Sequence, residues 1–60
     1  MNKINFDNKI VFVSGANRGI GKAIVEALLT HNVKKIYASA RNINKMPNFN
    51  DARVIAVALD

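Results

Sequence analysis

Cysteine and tryptophan are absent from these 60 residues, and proline occurs once, at Pro47. Without cysteine there is no disulfide, no cysteine-based metal site, no redox pair and no thiol nucleophile, and a reducing compartment is compatible with the chain. We therefore expect a cytoplasmic protein without a bound metal. Long apolar runs are missing too. The first, Ile10 to Val13, is followed at once by Ser14-Gly15, which is unlike the apolar core of a signal peptide. A membrane span needs roughly 20 apolar residues, so no membrane association is expected. A lone domain of this size buries only about 60% of the surface its unfolded chain exposes, which makes its stability marginal.

Acidic residues are also scarce, with four Asp plus Glu against nine Lys plus Arg and a formal charge of +5. That balance suggests an anionic partner, and nucleic acid is the first to consider. The basic residues, however, are scattered singly from Lys3 to Arg53, with only Lys34-Lys35 adjacent. They form neither a basic helix face nor an aromatic stacking platform. No nucleic acid is expected, and a small anionic ligand is the better use of the charge.

What is present is an alternation of elements. The run Lys9 to Ser14 is apolar, partly β-branched and ends on a glycine, as does a strand buried on both faces. From Gly19 to Thr30 the residues Ile20, Ala23, Ile24, Ala27 and Leu28 fall on one helical face, whose apolar side Val25 and Leu29 widen. His31, Asn32, Lys34 and Lys35 follow, where cationic and turn-tolerant residues suit a helix end. His31 is accordingly read as a helix-end residue and not as a catalytic base. Ile36 to Ala40 and Val54 to Leu59 read as two more strands. Between them the Asn-rich stretch 41–52 contains Met46-Pro47, and proline disfavours helical geometry at the residue before it. A loop with at most one or two helical turns is expected there.

This order is the opening of an α/β fold: the β-α-β-(loop or short helix)-β part of a doubly wound parallel sheet, with strand order 3-2-1. The sheet is incomplete, because one edge and much of one face lack cover. Residues 1–60 are thus expected to be part of a dinucleotide-binding domain that continues beyond residue 60 in a longer parent.

Ser14-Gly15-Ala16-Asn17-Arg18-Gly19-Ile20-Gly21 lies between the first strand and the helix, where a phosphate-binding turn belongs. Gly15 can make the sharp exit from the strand, Gly19 lets backbone approach a pyrophosphate, and Gly21 allows close packing of the helix. The helix N-terminus then offers unpaired N–H groups to the phosphates. An ordinary strand-to-helix turn is the plain alternative. A nucleoside-triphosphate loop is another, but Gly21-Lys22 is followed by Ala23 in place of the Ser or Thr that would hold magnesium.

The spacing from Gly15 to Gly21, with Ile20 between the last two glycines, resembles the short-chain dehydrogenase/reductase family. The family usually has Thr before this turn; Ser14 keeps the hydroxyl. Leu59-Asp60 is similar to the family's adenine-contacting Leu-Asp pair, so the resemblance spans the whole chain. It implies a Rossmann fold and cofactor contacts at Gly15, Asn17, Arg18, Gly19, Ile20, Gly21, Arg41 and Asp60. The family's catalytic Ser and Tyr-x-x-x-Lys lie further along its chains, and no catalytic residue is expected here. Tyr37, with Arg41 four residues on, reads as packing.

An NAD site normally places a carboxylate about 20 residues after the glycine turn to accept from the ribose 2′-hydroxyl. Ala40 stands there, Arg41 follows, and Arg18 projects from the turn. Guanidinium groups can fork onto a 2′-phosphate that a carboxylate would repel, so NADP(H) is favoured over NAD(H). Ser39-Ala40-Arg41 is also similar to NADP-preferring members of the family. The resemblance implies an oxidoreductase transferring hydride between nicotinamide and a small carbonyl or alcohol substrate. It is compatible with a homo-oligomeric parent, and a non-catalytic dinucleotide-binding member of the same fold remains the other reading.

Overall fold

The computed structural model describes residues 5–59. Strand β1 covers Ile10–Val13, helix α1 Gly19–Leu28, strand β2 Lys35–Ala40 and strand β3 Val54–Ala58, with a single 3-10 turn at Ile43–Lys45. The three strands form one parallel sheet in the order β1-β2-β3. Parallel neighbours cannot be joined by a hairpin, so α1 and the stretch 41–53 serve as the two crossovers. The expected architecture and strand order are therefore present, with element ends differing by one or two residues.

The second crossover stays irregular for a local reason. The side chains of Asn42 and Asn48 accept the backbone N–H groups of Asn44 and Asn50, at 3.0 and 2.9 Å. Such local bonds compete with the helical ladder, and Pro47 removes a donor from it. Asn50 also sits at φ 54°, a left-handed position that asparagine tolerates better than most residues.

The core lies between α1 and one face of the sheet. Val13, Ala16, Val25, Leu28, Val33, Ile36 and Ala38 are buried together, and Met46 and Phe49 of the second crossover pack against them. The register places Val11 beside Ile36 and Val13 beside Ala38 on that inner face. Two expectations need correction. The inward side of α1 is Gly21, Val25 and Leu28. Ile20 is 81% exposed, and Ala23, Ile24 and Ala27 also face outward. Of the expected stripe Leu28 alone is buried, joined by Val25 from its widened edge. Likewise β1 is not buried on both faces, since Ile10 and Phe12 are more than half exposed on the side away from α1. Phe12, Tyr37 and Ile55 line up across that open face.

The far end of α1 is held by a residue distant in sequence. The last turn contains no basic residue, and the expected role of His31 and the following lysines passes to Arg53. Its guanidinium donates to the carbonyls of Leu29 at 2.9 Å and His31 at 2.8 Å, and more weakly to Val33 at 3.4 Å. These oxygens lie just beyond the helix, where its orphaned carbonyls gather partial negative charge. Asp51 fixes the guanidinium from the other side, accepting from Nε at 3.0 Å and from Nη2 at 2.8 Å. The Arg53 backbone N–H also donates to Asp51, and the Arg53 carbonyl accepts from Ile36 N–H at 2.9 Å. One residue thus ties together the start of β3, the body of β2 and the end of α1. The His31 ring packs edge-on against Phe6, with centroids 5.3 Å apart.

The side-chain bonds from Arg53, followed by its backbone N–H, lower the Asp51 carboxyl pKa from 3.8 to about 2. A depressed carboxylate pKa contributes stability above its unfolded value and loses it as pH falls toward the folded value. The Asp51 contribution should therefore be complete above about pH 4 and vanish toward about pH 2. Carboxyl-carbon NMR should give a titration midpoint near 2 for Asp51; in Arg53→Ala the midpoint should return to the ordinary carboxylate range.

Candidate functional site

The site is built where β1 stops. After Val13 the backbone must reverse from an extended strand into α1, and Gly15 makes the reversal at φ 64°. An L side chain in that left-handed conformation costs roughly 1–2 kcal/mol, so glycine suits the position. Arg18 N–H donates to the Gly15 carbonyl at 3.0 Å and closes the turn. Ala16 N–H donates to the Ser39 carbonyl at 3.0 Å, which pins the turn to the end of β2.

Gly21 explains how close the helix can come. A Cβ there would overlap the Gly15 carbonyl, lying 2.7 Å from its carbon and 3.0 Å from Ala16 Cα. The first turn of α1 rests directly on the backbone of the glycine turn. A Cβ at Gly19 would meet open space, with nothing beyond the adjoining backbone of its own helix within 4 Å. The two glycines therefore do different work: one admits the protein's own backbone, and the other leaves room outside it.

Arg18 occupies the N-cap position in extended geometry, and its side chain makes no capping bond. The first turn contains no acidic residue. The N–H groups of Gly19, Ile20 and Gly21, which have no intrahelical acceptors, and the positive end of the helix dipole are thus available to an external anion.

Beside this end of the helix lies an open cleft of about 490 Å³. The turn contributes Gly15, Asn17 and Arg18, and the end of β2 contributes Ser39, Ala40 and Arg41. Phe12, Ser14 and Leu59 complete the lining. No carboxylate among the described residues borders it. Four residues expected from the sequence, Gly15, Asn17, Arg18 and Arg41, are brought together on this cleft. Gly19, Ile20 and Gly21 stand beside it in the first turn of α1 without lining it. Asp60 lies outside the described residues.

Ser39 and Leu59 stand in the Ser39-Ala40-Arg41 and Leu59-Asp60 patterns of the sequence, whereas no motif marks Phe12, for which a strand signal exists. Phe12 and Ser14 alternate along β1 and its exit, Ser39 and Arg41 along β2, and Val57 and Leu59 along β3. With Phe12 paired to Tyr37 and Ser39 to Val57, these rows share the open face and meet at the carboxyl ends of the strands. In an open α/β sheet that is where ligands bind. Among the described residues no group of His, Asp and Glu could hold a metal ion.

This arrangement has counterparts. The chain is 42% identical to the 3-oxoacyl-[acyl-carrier-protein] reductase FabG of Salmonella typhimurium, over 80% of this chain and 19% of that protein. It is 43% identical to oxidoreductase BOA17 of Botryotinia fuckeliana, over 87% of this chain and 20% of that one. A crystal structure of a short chain dehydrogenase from Burkholderia cenocepacia in complex with NADP superimposes with a TM-score of 0.85 at 32% identity, covering 95% of this chain and 24% of that one. The chain belongs to the short-chain dehydrogenase/reductase family. It spans about a fifth to a quarter of the length of these relatives. No protein-family model matches it. The dehydrogenase fold accounts for the three parallel strands and the helix as its Rossmann-like N-terminal part. No helix among the described residues is long and apolar enough to cross a membrane.

Gly21→Ala should lower stability by about 1–3 kcal/mol, because neither the helix nor the turn can withdraw without losing packing. Gly19→Ala should leave stability unchanged or slightly raised, since its methyl meets open space and alanine favours the helix. Denaturant unfolding of the two variants checks this contrast, and equal losses would contradict the packing described.

Proposed function

We propose that the chain forms the NADP(H)-binding portion of a short-chain oxidoreductase acting on a small carbonyl or alcohol substrate. The reading rests above all on one observation: Arg18 and Arg41 border the same cleft, and Ala40 stands where a ribose-binding carboxylate would be expected. The cofactor's nicotinamide would supply or accept the hydride. The chain's own residues bind and orient the other end of the dinucleotide. The N–H groups of the first turn of α1 receive the pyrophosphate, and Gly19 leaves it room to approach. Asn17 offers an amide at the turn. Arg18 and Arg41 take the 2′-phosphate between them, and Leu59 flanks the adenine.

The charges decide between the two nicotinamide cofactors. A 2′-phosphate carries close to two negative charges, and a hydrogen bond to a charged group is worth about 1.5–3 kcal/mol, or roughly 10- to 150-fold in binding per contact. A ribose hydroxyl gains much less from a guanidinium and lacks its usual carboxylate acceptor here. That the Burkholderia relative was crystallised with NADP agrees with this reading.

Residues 1–60 form the part of the dinucleotide-binding domain that carries these contacts, and the groups that would protonate or deprotonate a substrate lie elsewhere in such an enzyme. Calorimetric titration of the chain with NADPH and NADH tests the assignment. The wild-type chain should prefer NADPH by roughly 10-fold or more. Ala40→Asp combined with Arg41→Ala should reverse the order. An unchanged preference in the double variant would sink the assignment.

A further inference from the structure

Ser39 is the buried polar residue among those described, 3% exposed between Ala38 and Ala40 on β2. Its contacts reach beyond its own strand. Its carbonyl accepts the Ala16 N–H of the glycine turn at 3.0 Å. Its hydroxyl donates to the carbonyl of Val13, the last residue of β1, at 3.5 Å. It also lines the cleft, as do Arg18 and Arg41. An alanine would fill nearly the same volume and keep the backbone bond to Ala16. Packing alone therefore gives no reason for a hydroxyl, and placing one out of water without good partners is unfavourable.

What the hydroxyl adds is a side-chain tie. The ladder pairs Val13 with Ala38, and just beyond it the Ala16 N–H fixes the turn to β2. The bond from Ser39 Oγ to the Val13 carbonyl adds a side-chain restraint where the ladder ends and the turn begins. At 3.5 Å it is at the long limit for such a bond, so it restrains orientation more than it adds strength. Arg18 is carried by the turn and Arg41 by the end of β2, so their spacing depends on how these two segments are held. Two guanidinium groups can share one phosphate only when that spacing is kept.

We infer that Ser39 is a positioning residue, whose hydroxyl holds the glycine turn against the end of β2 so that Arg18 and Arg41 converge on one phosphate. This rests on the NADP(H) reading above, and the test separates the two. The probes are 2′,5′-ADP and 5′-AMP, which differ by the 2′-phosphate alone. Each is titrated calorimetrically into the full chain, with circular dichroism of every variant.

The wild-type chain should bind 2′,5′-ADP roughly 10-fold or more tightly than 5′-AMP. Ser39→Ala should shrink that ratio about fivefold while leaving 5′-AMP affinity nearly unchanged, as expected for loss of one modest hydrogen bond. Ser39→Thr, which keeps the hydroxyl, should restore the ratio. Should the alanine variant lose its fold, the near-isosteric Ser39→Cys, with its weak donor, is read in the same way. A wild-type ratio retained in Ser39→Ala would overturn the positioning role and leave the 2′-phosphate reading standing. Equal weakening of both ligands would overturn it as well, by assigning Ser39 a general structural role. A wild-type chain that does not distinguish the probes would defeat the NADP(H) reading, and the positioning role with it.

Discussion

The cleft depends on the contact between Gly21 and the Gly15 carbonyl. Because no side chain intervenes, the first turn of α1 lies directly on the turn that leaves β1, and an added methyl would overlap that carbonyl. The contact sets the height and direction of the helix N-terminus, and hence where its free N–H groups point. It also determines which side of α1 faces the sheet. With Gly21 inward, the positions four and seven residues on must face inward as well, and these are Val25 and Leu28. The core and the anion-binding end of the helix thus follow from one steric condition.

The two ends of α1 are secured by different chemistry. Its N-terminus has no capping side chain and no acidic residue in its first turn, and beside it lies a cleft bordered by two arginines. Its C-terminus is met by Arg53, whose guanidinium serves the carbonyls of Leu29 and His31 while Asp51 holds it in place. An end whose backbone is satisfied by the protein itself is suited to support, and an end left unsatisfied is suited to binding. The same division applies to the net positive charge. Arg53 is committed to the fold, whereas the side chains of Arg18 and Arg41 make no hydrogen bond or ion pair with the other described residues.

Some of this was legible in the sequence for clear physical reasons. Parallel strands joined by a helix, the glycine turn and the break at Met46-Pro47 are all local patterns, and local patterns survive into the fold. The inward side of α1 was not legible from hydrophobic periodicity, because that signal counts apolar side chains and Gly21 has none. Ile20, Ala23, Ile24, Ala27 and Leu28 make the richer stripe, yet steric contact at one glycine outweighs it. The Arg53 anchor was hidden differently. Its acceptors lie 20 to 24 residues away in sequence, so no motif spacing reveals them. The cleft was largely legible: the glycine motif marks Gly15, Asn17 and Arg18, and the Ser39-Ala40-Arg41 and Leu59-Asp60 patterns reach Ser39, Arg41 and Leu59, while Phe12 emerges only when strand alternation is combined with the observed register.

That register also links the cleft to the uncovered face of the sheet. The row on the face away from α1 passes through Phe12, Tyr37 and Ile55, and at the carboxyl ends it becomes the cleft wall at Ser39 and Leu59. Phe12 belongs to both, being more than half exposed on the open face and lining the cleft. Packing that covers this face would remove apolar surface from water, with a gain of about 25 cal/mol per Å². It would also lower the dielectric along one wall of the cleft, which strengthens the attraction between guanidinium and phosphate. Burial of the second face and affinity for an anionic ligand are therefore coupled through the same residues, since Phe12 cannot be packed without changing the surroundings of the cleft it borders.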